Sequence, residues 1–151
     1  GKSMSFGVVS MALLFNFINI NLQCIWIFIL GNYGDDWLLS LPFIIGVILF
    51  ISGMIINIKS DDILMKLRKN NGEGYHSPQG FLYKYVSCPN YFGEIIEWLG
   101  WAILTLSPAG LVFFIWTFAN LVPRAKSNLN WSKSNIPNYP KNRKAIFPHI
   151  Y

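Results

Sequence analysis

Charge is what this sequence has least of. Of its 151 residues, 13% are Asp, Glu, Lys or Arg, about half the usual share of a soluble domain, whereas 53% are hydrophobic and 17% aromatic. Soft ligands are also scarce: two cysteines, Cys24 and Cys88, and two histidines, His76 and His149. None has metal-ligand spacing, so there is no basis for a zinc or haem site. Cys24 sits in an apolar run and Cys88 in a polar loop, which argues against a disulfide between them. The chain has no internal repeat and no low-complexity stretch. It also lacks a Rossmann glycine loop, because Gly72-Glu-Gly-Tyr-His-Ser follows no strand, opens no helix and lacks the final Gly or Ala. The net charge is +5, but the bases flank apolar runs and form no long basic block, which argues against nucleic acid as a partner.

What the sequence does have is long uninterrupted apolar runs. Ser5–Leu30 carries no charge and exceeds the roughly 20 helical residues that cross a hydrocarbon core. It is too long for a signal-peptide core and lacks a small-residue cleavage site. A second uncharged run covers Trp37–Ile58, with Pro42 in its first turns, and a third covers Trp98–Val122. Ser107-Pro108-Ala109-Gly110 interrupts the third run and is expected to break it into two short helices. These features predict an all-α membrane helix bundle, one domain over residues 1–151, with about four membrane helices.

Charge placement supports the extra crossing. Gly31–Asp36 carries Asp35 and Asp36 and no base, whereas Lys59–Tyr91 carries five bases and three acids. From Pro123 onward there are six bases (Arg124, Lys126, Lys133, Lys141, Arg143, Lys144) and no acid. Cytoplasmic loops collect Lys and Arg, so the middle loop and the tail are expected to share the cytosolic side, which requires the third run to cross twice or re-enter. Asn130-Trp131-Ser132 fits a glycosylation acceptor but would then lie where it is unused. The tail, with Pro137, Pro140 and Pro148, reads as a short helix after Arg124 and then an extended segment. Lys69–Gly80 reads as irregular.

Three polar stripes stand out. Asn57, Asp61, Leu64 and Arg68 fall at i, i+4, i+7 and i+11, and Asn90, Glu94 and Glu97 at i, i+4 and i+7, with Trp101 completing that line. Acids at the mouth of an apolar helix are costly unless they face a cavity or a partner, and Arg68 and Arg124 are the available cations. The competing interpretation is plain interfacial charge, suited to a helix dipole or to anionic lipid. The third stripe is Asn16, Asn19 and Gln23 on the first run, where interhelical hydrogen bonding outweighs ligand contact. Phe15, Asn19 and Leu22 form an overlapping face able to line an apolar ligand cavity.

Several stretches resemble the steroid 5-alpha-reductase family. They are Gly53-Met-Ile-Ile-Asn-Ile-Lys-Ser-Asp61, Leu67-Arg-Lys69, Gly74-Tyr-His-Ser-Pro-Gln-Gly80, Tyr85-Val-Ser-Cys-Pro-Asn-Tyr-Phe-Gly-Glu-Ile-Ile-Glu-Trp98, Arg124-Ala-Lys126 and Tyr139-Pro-Lys-Asn-Arg-Lys-Ala-Ile-Phe-Pro148. The likeness runs in register over essentially the whole chain, and it implies a C-terminal portion whose N-terminal membrane part is missing here. The resemblance further implies a membrane reductase of the endoplasmic reticulum that holds NADPH at its cytosolic mouth. Such an enzyme reduces the C4–C5 double bond of a 3-oxo-4-ene steroid. By position it implies cofactor contacts from Asn57, Asp61, Arg68, Tyr75, Asn90, Glu94 and Arg124, with Arg143 in a less direct role.

The family's substrate-polarising Glu and Tyr belong to the missing portion, so this segment alone is expected to be catalytically silent. The sequence also departs from the family. Asn128, Trp131 and Ser132 stand where histidine and a Trp-Tyr or Phe-Tyr pair are usual, His76 and Lys2 replace arginines, and Lys59 replaces a histidine. A related enoyl-CoA or polyprenol reductase, or a non-catalytic membrane paralogue, stays open beside the steroid reductase. A transporter fits less well, because no inverted repeat is visible.

Overall fold

The computed structural model describes residues 5–71 and 74–151; Lys2 and the 72–73 part of the glycine-containing loop lie outside the described residues. Among the described residues the fold is helical, with no strand and one isolated bridge.

Helix α1, Phe6–Ile25, continues through one π-helical turn, Trp26–Leu30. A 3-10 turn at Trp37–Leu39 leads into α2, Leu41–Asn71. Pro42 occupies the first turn of α2, where a missing N–H costs nothing, and the Ser40 carbonyl accepts the Ile44 N–H at 3.1 Å. At about 1.5 Å per residue α2 is roughly 47 Å long, so it exceeds a hydrocarbon core of about 30 Å and its polar last turns project beyond. A 3-10 turn at Phe81–Lys84 precedes α3, Pro89–Thr105, and α4, Pro108–Asn135.

The third apolar run is indeed divided, and the break falls one step earlier than the tetrapeptide. Leu106 takes a left-handed conformation (φ 41°), and Ser107 caps α4 by accepting the Gly110 N–H at 3.0 Å. Ser107-Pro108-Ala109-Gly110 is therefore a helix start, with Pro108 at its first position. The two helices are not short, because α3 begins well before Trp98 and α4 runs on past Val122. Pro123 does not end α4, so there is no separate short helix after Arg124. Its lost hydrogen bond is offset by a buried stripe, Leu121, Ala125 and Leu129, that continues across it.

Helices α2 and α3 lie antiparallel along a glycine seam. A Cβ added at Gly46 would stand 2.5 Å from Leu104 Cβ, and one at Gly93 would stand 2.6 Å from the Asn57 backbone nitrogen and 2.7 Å from the Gly53 carbonyl. Gly53 and Gly100 likewise abut backbone of the facing helix. Seven-residue spacing repeats on both helices, so the backbones nearly touch, as small-residue membrane interfaces do.

Past α4 the chain folds back. Val86 and Lys144 form a parallel bridge: Ser87 N–H donates to the Lys144 carbonyl at 2.9 Å and Lys144 N–H to the Tyr85 carbonyl at 2.9 Å. A core of Cys88, Ile95, Leu121, Ala125, Leu129, Ile136, Tyr139, Ala145 and Ile146 joins α3, α4 and this tail. The middle loop and the tail therefore sit at one end of the bundle. The acidic connector meets the other end, where the Tyr33 hydroxyl donates to the Thr105 carbonyl at 2.6 Å.

Helix α1 is held more sparsely, by Phe15 against Phe113 and Trp116 and by Gln23, its one buried residue. The Trp101 Nε1–H donates to Gln23 Oε1 at 2.9 Å. The interhelical role expected for the α1 amide stripe is thus what Gln23 performs, whereas Asn16 bonds its own helix at Ala12. Phe6–Leu30 and Leu41–Asn70 are long and apolar enough to cross a membrane, and their side chains stay largely uncovered: Phe6 is 88% exposed and Met11 74%. Apolar surface on this scale marks a lipid or protein interface.

Candidate functional site

The end of the bundle where α2 stops and α3 starts is concave. A cavity of about 550 Å³ opens there, with Asp61, Leu64 and Arg68 on its α2 wall, Cys88 and Asn90 on its α3 wall and Asn128, Trp131 and Ser132 on its α4 wall. Tyr75 and His76 of the loop and Tyr139 of the tail complete it. Three of the four members of the i, i+4, i+7, i+11 pattern on α2, Asp61, Leu64 and Arg68, thus share one wall, as helical periodicity requires.

The α2 and α3 walls are tied together. Asn90 Nδ2–H donates to Asp61 Oδ1 at 3.1 Å, and Asn57 Nδ2–H donates to the Asn90 carbonyl at 3.2 Å. Asn57 therefore stands behind the cavity as a brace. Asp61 retains acceptor capacity, since a carboxylate has about four lone-pair sites. Arg68 is exposed and has no hydrogen-bond or ion-pair partner among the described residues. Tyr75 and Trp131 meet edge to face, ring centroids 4.5 Å apart, and present aromatic surface at the rim. Glu94 and Arg124 are not on the cavity wall. Glu94 is half-buried one turn deeper in α3, within electrostatic reach of Asp61 and Arg124, and Arg124 is exposed.

The α4 wall differs from the rest. Asn128 turns its amide to Cys88 Sγ at 3.7 Å. Burial pushes the Cys88 thiol up from 9.0 to about 11, with the Asn128 hydrogen bond acting against that rise. Both cysteines are free. Burial also raises the phenol of Tyr83, which donates to the Ser60 carbonyl at 3.3 Å and pins the loop to α2.

Arg143 lies outside the cavity wall and is 2% exposed. Its guanidinium donates to Ser77 Oγ (3.0 Å), the Pro78 carbonyl (2.8 Å) and Gln79 Oε1 (3.2 Å), and it stacks 5.1 Å from the Tyr139 ring. Its role is to hold the 74–80 loop over the cavity. Ser87 and Tyr139, bonded hydroxyl to hydroxyl at 2.8 Å, are wall residues that pattern reading missed. Ser87 lies just before α3, and Tyr139 reaches the cavity through the tail's return, which no local period announces.

A second, apolar cavity of about 390 Å³ lies between α1 and the N-terminal half of α4. Phe15, Asn19 and Leu22 line it with Pro108, Phe113 and Trp116, so the three residues singled out on α1 do converge. Among the described residues no group of three or more His, Cys, Asp or Glu is placed to hold a metal ion.

A family model described as 3-oxo-5-alpha-steroid 4-dehydrogenase matches residues 2–151. A steroid 5-alpha-reductase of Solanum lycopersicum is 50% identical over 141 residues, which is 93% of this chain and 54% of that protein. One from Arabidopsis thaliana is 44% identical over 149 residues, 95% of this chain and 56% of that protein. The 3-oxo-5-alpha-steroid 4-dehydrogenase 1 of Homo sapiens is 42% identical over 151 residues, 100% of this chain and 58% of that protein. The chain spans a little over half the length of these relatives.

Proposed function

Since the chain belongs to the 3-oxo-5-alpha-steroid 4-dehydrogenase family, we propose that it forms the cofactor-binding part of an NADPH-dependent reductase of the C4–C5 double bond of membrane-dissolved 3-oxo-4-ene steroids. The observation that carries this reading is a polar cavity built at one end of otherwise apolar helices, with a guanidinium that has no partner among the described residues, a carboxylate and amides on its walls.

The donor set fits a dinucleotide phosphate. Arg68 suits a phosphate, bidentate where geometry allows. Asp61 accepts from ribose hydroxyls, the amide of Asn90 is fixed by Asp61 for recognition of ring edges, and the Tyr75–Trp131 pair offers a face for an aromatic base. Asn57 and Arg143 act indirectly, the first by fixing Asn90 and the second by holding the loop. Glu94 and Arg124 would adjust the potential beside the site. Bound NADPH supplies the hydride; the protein orients it and excludes water. The apolar cavity at Phe15, Asn19 and Leu22 offers room for an apolar ligand entering from lipid, so substrate and cofactor would arrive by different routes.

All four helices would cross the bilayer. The basic loop and tail, which share one end of the bundle, would face the cytosol, and the endoplasmic reticulum would be the compartment. The test is NADPH oxidation by the full-length protein with a 4-en-3-one steroid against a saturated control; absence of steroid-dependent oxidation refutes the reading. Enoyl-CoA and a polyprenol as competing substrates separate the related reductases.

One observation favours a non-catalytic membrane paralogue: Asn128 spends its amide on Cys88 and Ser132 offers only a short hydroxyl on the same wall. Micromolar NADPH binding in detergent would argue against that alternative.

A further inference from the structure

Beyond the polar cavity, the C-terminal part of α4 and the returning tail enclose a second concave surface, of about 280 Å³. Lys126 and Lys133 of α4 and Lys141, Asn142 and Lys144 of the tail line it. An adjoining hollow of about 220 Å³ shares Asn142 and Lys144 and adds Lys84 and His149. The two hollows have no wall residue in common with the Asp61 cavity; on α4 they use the face of Lys126, Leu129 and Lys133, not that of Asn128, Trp131 and Ser132.

Among the described residues no Asp or Glu side chain lines either hollow. The sequence holds no Asp or Glu beyond Glu97, and none of the four lysines of the larger hollow has an ion-pair partner among the described residues. Lys126 rests only against the Tyr151 ring, 5.2 Å away. Arg143 contributes to the same wall, is 2% exposed, and keeps a buried Nε–H with no acceptor. Four like charges around one hollow repel each other and destabilise the fold, and a buried N–H without an acceptor adds to the cost. An anion in the hollow relieves the repulsion among the lysines.

We infer that this hollow is a binding site for a phosphate group, separate from the proposed cofactor cavity. Its position favours a lipid headgroup as the source. The apolar part of α4 ends near Val122, so Lys126 stands roughly 6 Å further along the axis, within the headgroup layer that flanks a hydrocarbon core, and Lys133 roughly 16 Å, on its aqueous side. Basic pockets next to membrane helices on the cytoplasmic side recognise such groups.

The test uses full-length protein in a neutral detergent, with thermal unfolding as readout. Three probes are compared: dioctanoyl phosphatidic acid, dioctanoyl phosphatidylcholine and inorganic phosphate. Saturable stabilisation by phosphatidic acid, absent with phosphatidylcholine and weakened at high salt, is expected. A lipid-only response assigns the headgroup as ligand, and an equal response to inorganic phosphate assigns the free anion. The K133Q/K141Q/K144Q variant should bind roughly a hundredfold more weakly, and K133R/K141R/K144R should retain binding. NADPH affinity, read separately, should be the same in all three proteins. Either no response to phosphatidic acid and phosphate, or an undiminished response in the glutamine variant, overturns the inference.

Discussion

Replacing Gly93 with alanine should open the seam on which the candidate site is built. The new Cβ would stand 2.6 Å from the Asn57 nitrogen, 2.7 Å from the Gly53 carbonyl oxygen and 3.0 Å from Ile56 Cγ2, whereas such contacts relax at roughly 3.5 Å or more. Two of the three neighbours are backbone atoms that cannot rotate away, so α2 and α3 must part by about 1 Å. Overpacking of this kind costs about 1–3 kcal/mol, and backbone obstacles place it at the upper end. Alanine's better helix propensity returns at most about 1 kcal/mol. The net loss is about 2 kcal/mol, or roughly 4–8 °C in Tm. The same separation stretches the Asn57–Asn90 and Asn90–Asp61 hydrogen bonds, now 3.2 and 3.1 Å, past useful length, so NADPH affinity should fall as well. Thermal unfolding and NADPH titration of full-length protein in detergent measure both effects. Gly34→Ala is the control, since nothing lies within 4 Å of its added Cβ. If Gly93→Ala unfolds at the temperature of that control, the close-packed seam is refuted.

Arg143→Lys should destabilise the loop by on the order of 3 kcal/mol, because one ammonium cannot serve the acceptors that the guanidinium fork reaches at Ser77, Pro78 and Gln79; faster proteolysis within 74–80 is the readout, and unchanged cleavage contradicts it. Gln23→Leu should cost about 0.6–2 kcal/mol by leaving the Trp101 N–H without its acceptor, and adding Trp101→Phe should cost less than the sum of the single changes. Burial that lifts the Cys88 thiol to about 11 should make it resist maleimide at pH 8 in the folded protein; rapid labelling there counts against its burial. Because the folded value lies above the ordinary 9.0, the stabilisation is complete below pH 9 and disappears as pH rises through 11, a loss of on the order of 2 kcal/mol that an unfolding series across this window would record.

The helices were legible because their signals are local. Uncharged runs of sufficient length, Pro108 after Ser107, and a polar face emerging at the end of α2 each act within a few turns, and α1, α2 and the division of the third run follow from them. The segment after Arg124, read as a short helix of its own, is instead the continuation of α4 through Pro123. Its cost is one hydrogen bond, and the packing of Leu121, Ala125 and Leu129 against α3 and the tail outweighs it. The seven-residue glycine spacing was visible as well, and small-residue periodicity on two neighbouring apolar helices could have revealed the seam.

The sequence by itself determined that the chain is helical, that Phe6–Leu30 and Leu41–Asn70 are apolar enough for lipid, and that Asn57, Asp61 and Arg68 share one face, because these properties depend on residues a few positions apart. Only the tertiary structure decided that Asp61 meets Asn90, that Glu94 and Arg124 stand off the cavity wall, and that Tyr139, Arg143 and the tail lysines gather at the same end of the bundle. Those outcomes depend on how closely the backbones approach at the glycine seam and on a bridge between residues 86 and 144, contacts between distant parts of the chain that no helical period encodes.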